Sequence, residues 1–449
     1  MTLVDLTIPT VREDRLAGLP VAIIGAGPIG LAAAANLIER RIPFEIFEAG
    51  DVIAYSIRQW GHTRLFSPWR HLIDPASRRL LEAAGWRHPR EDALPTGTEL
   101  VDEFLRPLAE LPAIAAHLVT SAEVTAVSRD GVDRTRTTDR ANTPFVLRIT
   151  DAAGLREVRA RAVIDASGTY RTPNSLASSG LDPLGAEEVR DLVMHALPDV
   201  LGAERDRFAG RHTIVVGAGH SAANTLLKLA ELAETAPGTS ATWVIRNRSA
   251  VRVSSSSDDD LPARASIGGR VDRLVSLGRI ALVDRFETVR LRRDGDRVTL
   301  IGHRADALEE LTADGVVNAT GFRPDLTPLR EIRLDLDDVI EAPRRLAPLI
   351  DPNVHSCGTV RPHGFAELEH PEPNFFIAGM KSYGRAPTFL LATGYEQVRS
   401  IVAHLAGDRN AAAKVELVLP ATGVCSSSLA EAAPSGSSCC GPVSPESCG

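Results

Sequence analysis

Cysteine is scarce in this 449-residue chain and unevenly placed. Of five cysteines, only Cys357 comes before residue 420. A secreted disulfide framework would spread its cysteines through the fold, so a reducing compartment is predicted. Basic residues do not dominate either. Fifty Lys and Arg stand against 58 Asp and Glu, giving a net charge of −8 and a pI near 5.9. That balance argues against a nucleic-acid partner. Long uninterrupted apolar runs are missing. The longest, "VAIIGAGPIGLAAAANLI" from Val21 to Ile38, is broken by three glycines, a proline and an asparagine, unlike a membrane span. The first residues, "MTLVDLTIPTVREDRLAGLP", carry acids and no apolar core, so no secretory signal is expected and a cytoplasmic location is. What remains is ordinary globular composition, 44% hydrophobic and 24% charged, on a chain long enough for two or three domains.

Two segments repeat one pattern. "VAIIG" reads as a buried strand and enters Gly25-Ala26-Gly27-Pro28-Ile29-Gly30; an alanine-rich helix follows to about Arg40, and "PFEIFEA" is a second strand ending in Glu48. Gly25 permits the tight turn, Gly27 lets a pyrophosphate approach the backbone, and Gly30 lets helix and strand pack closely. Pro28 opens the helix, whose N–H groups and dipole favour phosphate. Glu48, 23 residues after Gly25, is placed to accept from ribose hydroxyls. Near the middle, "HTIVVGAGHSAAN" gives a strand and then Gly217-Ala218-Gly219-His220-Ser221-Ala222, with alanine in the third glycine position. The strand after it, "ATWVIRNRS", ends in Arg246 and Arg248 rather than an acid. Guanidinium groups there suit a 2′-phosphate, which predicts NADPH; the plainer reading is two arginines ending a surface strand.

Two such loops, the first with an acid and the second with arginines, resemble the two-dinucleotide-binding-domain flavoproteins, whose first site holds FAD and whose second holds NADPH. Further segments match in order: "HLVTSAEVTAVSRD", with Val124 in the adenine-side place; "AVIDASGTYRTPN", with Ser167 and Gly168; "GVVNATGFRPDL"; and the closing "PNFFIAGMKSYGRAPTFLLATGYEQVRSIVAHL". The resemblance spans roughly residues 18 to 406. It implies FAD contacts at Gly379, Lys381, Arg385 and Thr388, although Met380 stands where the family usually has aspartate. It is similar in detail to the NADPH-dependent flavin monooxygenases. Among them it is most similar to flavoproteins associated with arsenic-resistance gene sets, through "SIRQWGHTRLFSPWRHLIDP" and "LIDPNVHSCGTVRPHG". The monooxygenase histidine motif is degenerate around His195.

The predicted fold is α/β, two Rossmann-like three-layer domains, with the NADPH domain inserted into a discontinuous FAD domain. The expected limits are 15–185 for the first FAD-domain segment, 186–330 for the NADPH domain, 331–408 for the second FAD-domain segment and 409–449 for a cysteine-bearing flexible tail. "SSSSDDDLPAR", Ser254 to Arg264, is expected as a loop beside the nicotinamide cofactor. "VELVLP" is read as one more strand.

Two chemistries compete on this frame. Reduced flavin can react with oxygen and, through a flavin hydroperoxide, oxygenate a soft nucleophile such as sulfur, nitrogen or trivalent arsenic in a small molecule. Alternatively it can pass electrons to a disulfide or metalloid through the tail cysteines. No cysteine pair stands near either glycine loop, which favours oxygenation. A flavin-bound sensor without turnover is the third reading. No catalytic residue stands out. Trp60 has two readings, against the flavin or in the core. His355, Cys357, His363 and His370 share a proline-rich loop, but their spacing fits no tight metal pattern. Cys439, Cys440 and Cys448 could wrap a three-coordinate metalloid or have no role.

Overall fold

The computed structural model describes residues 14–248, 262–352, 362–387 and 389–417. All five cysteines, His355, Thr388 and Ser254–Leu261 lie outside the described residues.

The Val21–Ile24 strand is buried on both faces, as its unbroken apolar run requires. It sits at the centre of a parallel five-stranded sheet. Phe44–Phe47 and then Leu118–Val119 lie to one side; Ala162–Asp165 and then Phe375–Ile377 lie to the other. Alternate residues serve different layers. Val21 and Ile23 pack on the helical side, where the helices Pro28–Glu39 and Leu391–Leu405 meet. Ala22 and Ile24 face the antiparallel meander Glu123–Arg129, Phe145–Asp151 and Gly154–Ala160.

The second unit repeats this three-layer plan. Its parallel sheet runs Ala281–Val283, Ser240–Val244, His212–Val216, Gly315–Asn318, Val193–Met194. Val215, Trp243 and Val317 pack with the helix His220–Thr235; Ile214, Val216, Val244 and Val316 pack with the meander Phe286–Asp294, Arg297–Arg304 and Ala307–Ala313. The chain leaves the first sheet after Asp165 and rejoins it at Phe375, so the second unit is an insertion between adjacent strands. Both Rossmann-like units expected from the sequence are present.

Three details differ from the sequence reading. Residues 176–185, expected in the first unit, rest on the second: Leu176 joins the core of Ile214 and Val316, and the Leu291 N–H donates to the Leu184 carbonyl at 2.8 Å. Their serine- and glycine-rich composition reads as linker, yet their backbone extends the edge of the meander. Pro262, Ala263 and Arg264 start the helix Pro262–Ser276 rather than ending a loop. Val415–Leu417, the described residues of "VELVLP", form no strand.

A buried charge cluster ties the first unit together. Glu372, between Arg129 and Arg140, accepts from Arg129 Nε at 2.8 Å and Arg140 Nη2 at 2.8 Å, with all three side chains at most 4% exposed. Burial pushes the Glu372 carboxyl up, but hydrogen bonds from Arg140 and Arg129 outweigh it and hold it below its ordinary value. Its contribution to stability is therefore present at neutral pH and lost as the carboxyl is protonated in acid. Glu372→Gln leaves two buried guanidinium groups without a counter-charge. We expect a loss of about 3 kcal/mol in denaturant unfolding at pH 7.

Asp74 behaves oppositely. It caps the helix Pro75–Ala83, accepting from the Ser77 N–H at 2.7 Å, and burial pushes its carboxyl up to about 6. The folded state thus holds the proton more tightly than the unfolded state. That stabilisation is full below the unfolded value and is lost as pH rises through about 6. Asp74→Asn keeps the cap acceptor without the charge. The variant should match the parent in thermal unfolding near pH 4 and melt higher at pH 8, by roughly 3 °C.

Candidate functional site

The strand-to-helix turn at Gly25–Gly30 shows why each glycine is there. Gly25 has φ +99°, and a Cβ on it would stand 2.9 Å from the Ala166 carbonyl. A Cβ on Gly30 would stand 1.9 Å from the Gly25 carbonyl, so only glycine lets the helix seat on the turn. At Gly27 a Cβ would meet no protein atom within 4 Å. Nothing in the fold requires glycine there; the open space suits a ligand backbone. Gly168, at φ +71°, is equally open.

Glu48 closes the loop from the next strand. One carboxylate oxygen accepts from the Ala26 N–H at 2.7 Å and the other from the Gly50 N–H at 2.8 Å. Each oxygen keeps a lone pair for a hydroxyl. Burial pushes Glu48 above its ordinary value, against the pull of those amides.

Gly25, Gly27, Glu48 and Gly168 border a cavity of about 970 Å³, at the upper end of the cofactor range. Its lining includes Glu48, Ser121, Glu123, Val124 and the Ala166–Gly168 turn, together with the apolar side chains of Ile57, Trp60, Leu65, Leu100, Phe389 and Leu391. Trp60 borders the cavity and packs on the core. A Cβ on Gly97 would stand 2.9 Å from the Trp60 ring, so glycine there lets the indole lie close. Gly379, at φ +72°, abuts Ile29 of the first turn. The Gly379 N–H donates to Gln397 Oε1 at 2.8 Å, and Gln397 in turn contacts Ser382 and buried His363.

Lys381, which the family resemblance implies as an FAD contact, is buried. Its side chain is 3% exposed, bonded to Asp165 Oδ2 at 2.7 Å, and it borders the cavity. Arg385, expected beside the flavin, is exposed and outside the cavity wall; its N–H binds the Ile340 carbonyl.

The second turn repeats the logic of the first. Gly217, at φ +136°, would place a Cβ 2.1 Å from the Ala319 carbonyl, whereas Gly219 faces open space. Ala222 is fully buried in the packing position. Ser221 and His220 begin the helix, with the His220 ring 5.8 Å from Phe66 of the first unit. Trp243 Nε1 donates to the Gly217 carbonyl at 2.7 Å, a brace that no sequence motif signals. Arg246 and Arg248 are exposed just past the neighbouring strand.

The two turns are joined where the interdomain segments cross. The Asn174 N–H donates to the Gly321 carbonyl at 2.9 Å, and the Arg323 N–H to the Thr172 carbonyl at 3.0 Å. Tyr170 and Phe322, one from each crossing, border the cavity and stack about His195, with centroids 4.4 Å and 5.4 Å from the imidazole. Burial pushes the Tyr170 phenol up to about 12, so it stays neutral. Sequence alone aligns His195 with a motif; it cannot supply these two ring partners.

The histidine-rich loop does not assemble a metal site among the described residues. His363 is held by Gln397. His370 Nδ1 accepts from the Asp335 N–H at 3.2 Å, and burial pulls His370 down to about 4. No described helix is long and apolar enough to cross a membrane. Cys439, Cys440 and Cys448 lie outside the described residues.

The family model described as "Pyridine nucleotide-disulphide oxidoreductase" matches residues 22–357, three quarters of the chain. The chain belongs to that family. It is a flavoprotein oxidoreductase that uses a pyridine nucleotide; FAD and NADPH are the cofactors its two turns predict. No curated protein matches it. Among solved structures, the bacillithiol disulfide reductase Bdr (YpdA) from Bacillus cereus is similar with a TM-score of 0.64 at 20% identity, over 87% of this chain and 99% of that one. The FAD-bound cadaverine monooxygenase DfoA from Erwinia amylovora gives 0.62 at 16% identity, over 90% and 99%. A flavin-containing monooxygenase from Stenotrophomonas maltophilia gives 0.55 at 21% identity, over 87% and 98%. These likenesses establish the fold and reach both reductases and oxygenases.

Proposed function

We propose that this chain is an FAD-dependent, NADPH-using monooxygenase that oxygenates a soft nucleophile in a small molecule: sulfur, nitrogen or trivalent arsenic. The observation that carries the reading is the placement of cysteine along the chain. A dithiol relay beside the flavin uses a cysteine pair in the cofactor-binding units, and before residue 420 the chain has the single cysteine Cys357. The apolar side chains of Ile57, Trp60, Leu65, Leu100, Phe389 and Leu391 in the cavity wall suit the rings of a flavin.

In this reading Gly27 and the start of the Pro28–Glu39 helix take the FAD pyrophosphate, Glu48 the adenosine ribose, and Val124 the adenine side. Gly25 and Gly30 hold the turn; Gly168 and Gly379 border the rest of the cofactor, and Trp60 lies against the flavin. Gly217, Gly219, His220, Ser221 and Ala222 form the NADPH turn, with Arg246 and Arg248 for the 2′-phosphate. Bound FAD would supply the electron acceptor for NADPH and the centre that activates oxygen. The domain limits that fit this reading fall near 175 and 325 rather than 185 and 330. The arsenic option rests on the sequence resemblance, and the tail cysteines as a metalloid clip rest on thiolate chemistry alone.

The balanced reaction is NADPH + H⁺ + O₂ + substrate → NADP⁺ + H₂O + oxygenated substrate. Without oxygen the enzyme should oxidise one NADPH per FAD and stop, even with a disulfide or arsenate present. Continued anaerobic turnover with a disulfide would move the protein to the reductase reading. Failure of NADPH to reduce the flavin at all would favour the sensor.

A further inference from the structure

We propose that Asp165 is a positioning residue for the flavin site: it holds the Lys381 ammonium in the cavity wall so that the ammonium's remaining N–H meets the bound cofactor. The inference rests on the FAD reading above.

Asp165 ends the Ala162–Asp165 strand and pairs in register with Ile377, two residues before Gly379. Lys381 lies in the turn Gly379–Tyr383 that follows. Lys381 Nζ donates to Asp165 Oδ2 at 2.7 Å and to Ser167 Oγ at 3.0 Å; Ser167 Oγ donates to Asp165 Oδ1 at 2.6 Å. The Ser167 N–H also donates to Asp165 Oδ1, at 3.1 Å. Both carboxylate oxygens are thereby engaged. The ammonium carries three N–H groups and uses two. Its third has no partner among the described residues.

Burying this pair is expensive, and a pair of apolar side chains would staple the strands as well or better. The staple is also redundant, because the Ala378 N–H already donates to the Asp165 carbonyl at 2.9 Å. The pair, at 2–3% exposure, borders the cavity between the Ala166–Gly168 turn and Met380. A fixed donor there gains its full value only when an acceptor covers it. The cofactor is what fills that space in the FAD reading.

The charges give a test that a merely structural role would not pass. Two-electron reduction leaves negative charge on a flavin. Lys381→Met leaves the Asp165 carboxylate alone in the wall, which disfavours the reduced form. Asp165→Asn leaves the ammonium alone, which favours it. The flavin midpoint potential of each purified variant is measured by equilibration with a reference dye. Asp165→Asn should bind reduced over oxidised FAD at least tenfold more favourably than the parent, raising the potential by about 30 mV or more. Lys381→Met should lower it by a like amount, and the double variant should return near the parent. If a variant loses its FAD, the ratio of dissociation constants for oxidised and reduced FAD, measured on the apoprotein, carries the same sign test. Shifts in one common direction, or none, overturn the inference and leave the FAD reading standing. A parent protein that takes up no FAD overturns the FAD reading itself.

Discussion

Gly30→Ala is expected to purify without flavin, with FAD affinity reduced at least 10³-fold, on the order of 4 kcal/mol. The added Cβ would overlap the Gly25 carbonyl at 1.9 Å. The loop cannot yield, because Gly25 is itself in a left-handed conformation and packed 2.9 Å, by its own would-be Cβ, from the Ala166 carbonyl. The helix must therefore lift from the strand, and the pyrophosphate loses the N–H groups aimed at it. Gly27→Ala makes the contrast. No protein atom lies within 4 Å of its new Cβ, so the apoprotein should unfold at the parent's temperature. Only flavin uptake should suffer, since the methyl group occupies the approach of the pyrophosphate. Thermal unfolding of the two apoproteins, with FAD titration by flavin fluorescence, separates these outcomes. Equal FAD affinity in parent and Gly27→Ala would contradict the assignment of this turn.

Reversing both charges in Arg246→Glu/Arg248→Glu should cut NADPH affinity on the order of 10²- to 10³-fold while changing NADH affinity only a few-fold. Both side chains are exposed beyond the Ser240–Val244 strand, so the fold does not depend on them. The readout is the ratio of kcat/KM for the two nucleotides in flavin-dependent oxidation, taken at two salt concentrations. The parent's preference should weaken at high salt, as expected for exposed charges meeting a phosphate. A variant that loses NADH and NADPH equally would place the 2′-phosphate elsewhere.

What the sequence made legible was mostly what the backbone dictates. Gly25, Gly30 and Gly217 occupy positions where a side chain cannot fit, and such constraints appear directly as residue type. The strands beside them were equally plain, because a central parallel strand must be apolar on both faces. Lys381 was not legible in the same way. A lysine in a sequence suggests solvent, and its partner Asp165 lies 216 residues away on a neighbouring strand. Trp243 bracing Gly217 depends on strand pairing within the second unit, and the stack of Tyr170, His195 and Phe322 forms where the interdomain segments cross. The packing of residues 176–185 on the second unit was hidden for a similar reason. A serine-rich stretch carries no periodicity, and its allegiance is set by backbone hydrogen bonds to the Phe286–Asp294 strand.

In the proposed reaction electrons from NADPH go to molecular oxygen, one atom of which enters the product and the other water, rather than to a disulfide. The reaction's most direct test is turnover under ¹⁸O₂, with a thioether, a tertiary amine and arsenite offered in parallel to the NADPH-supplied enzyme. One ¹⁸O atom is expected in the product of at least one substrate, with one NADPH consumed per product formed. Products free of label, with NADPH consumption driven instead by an added disulfide, would contradict it.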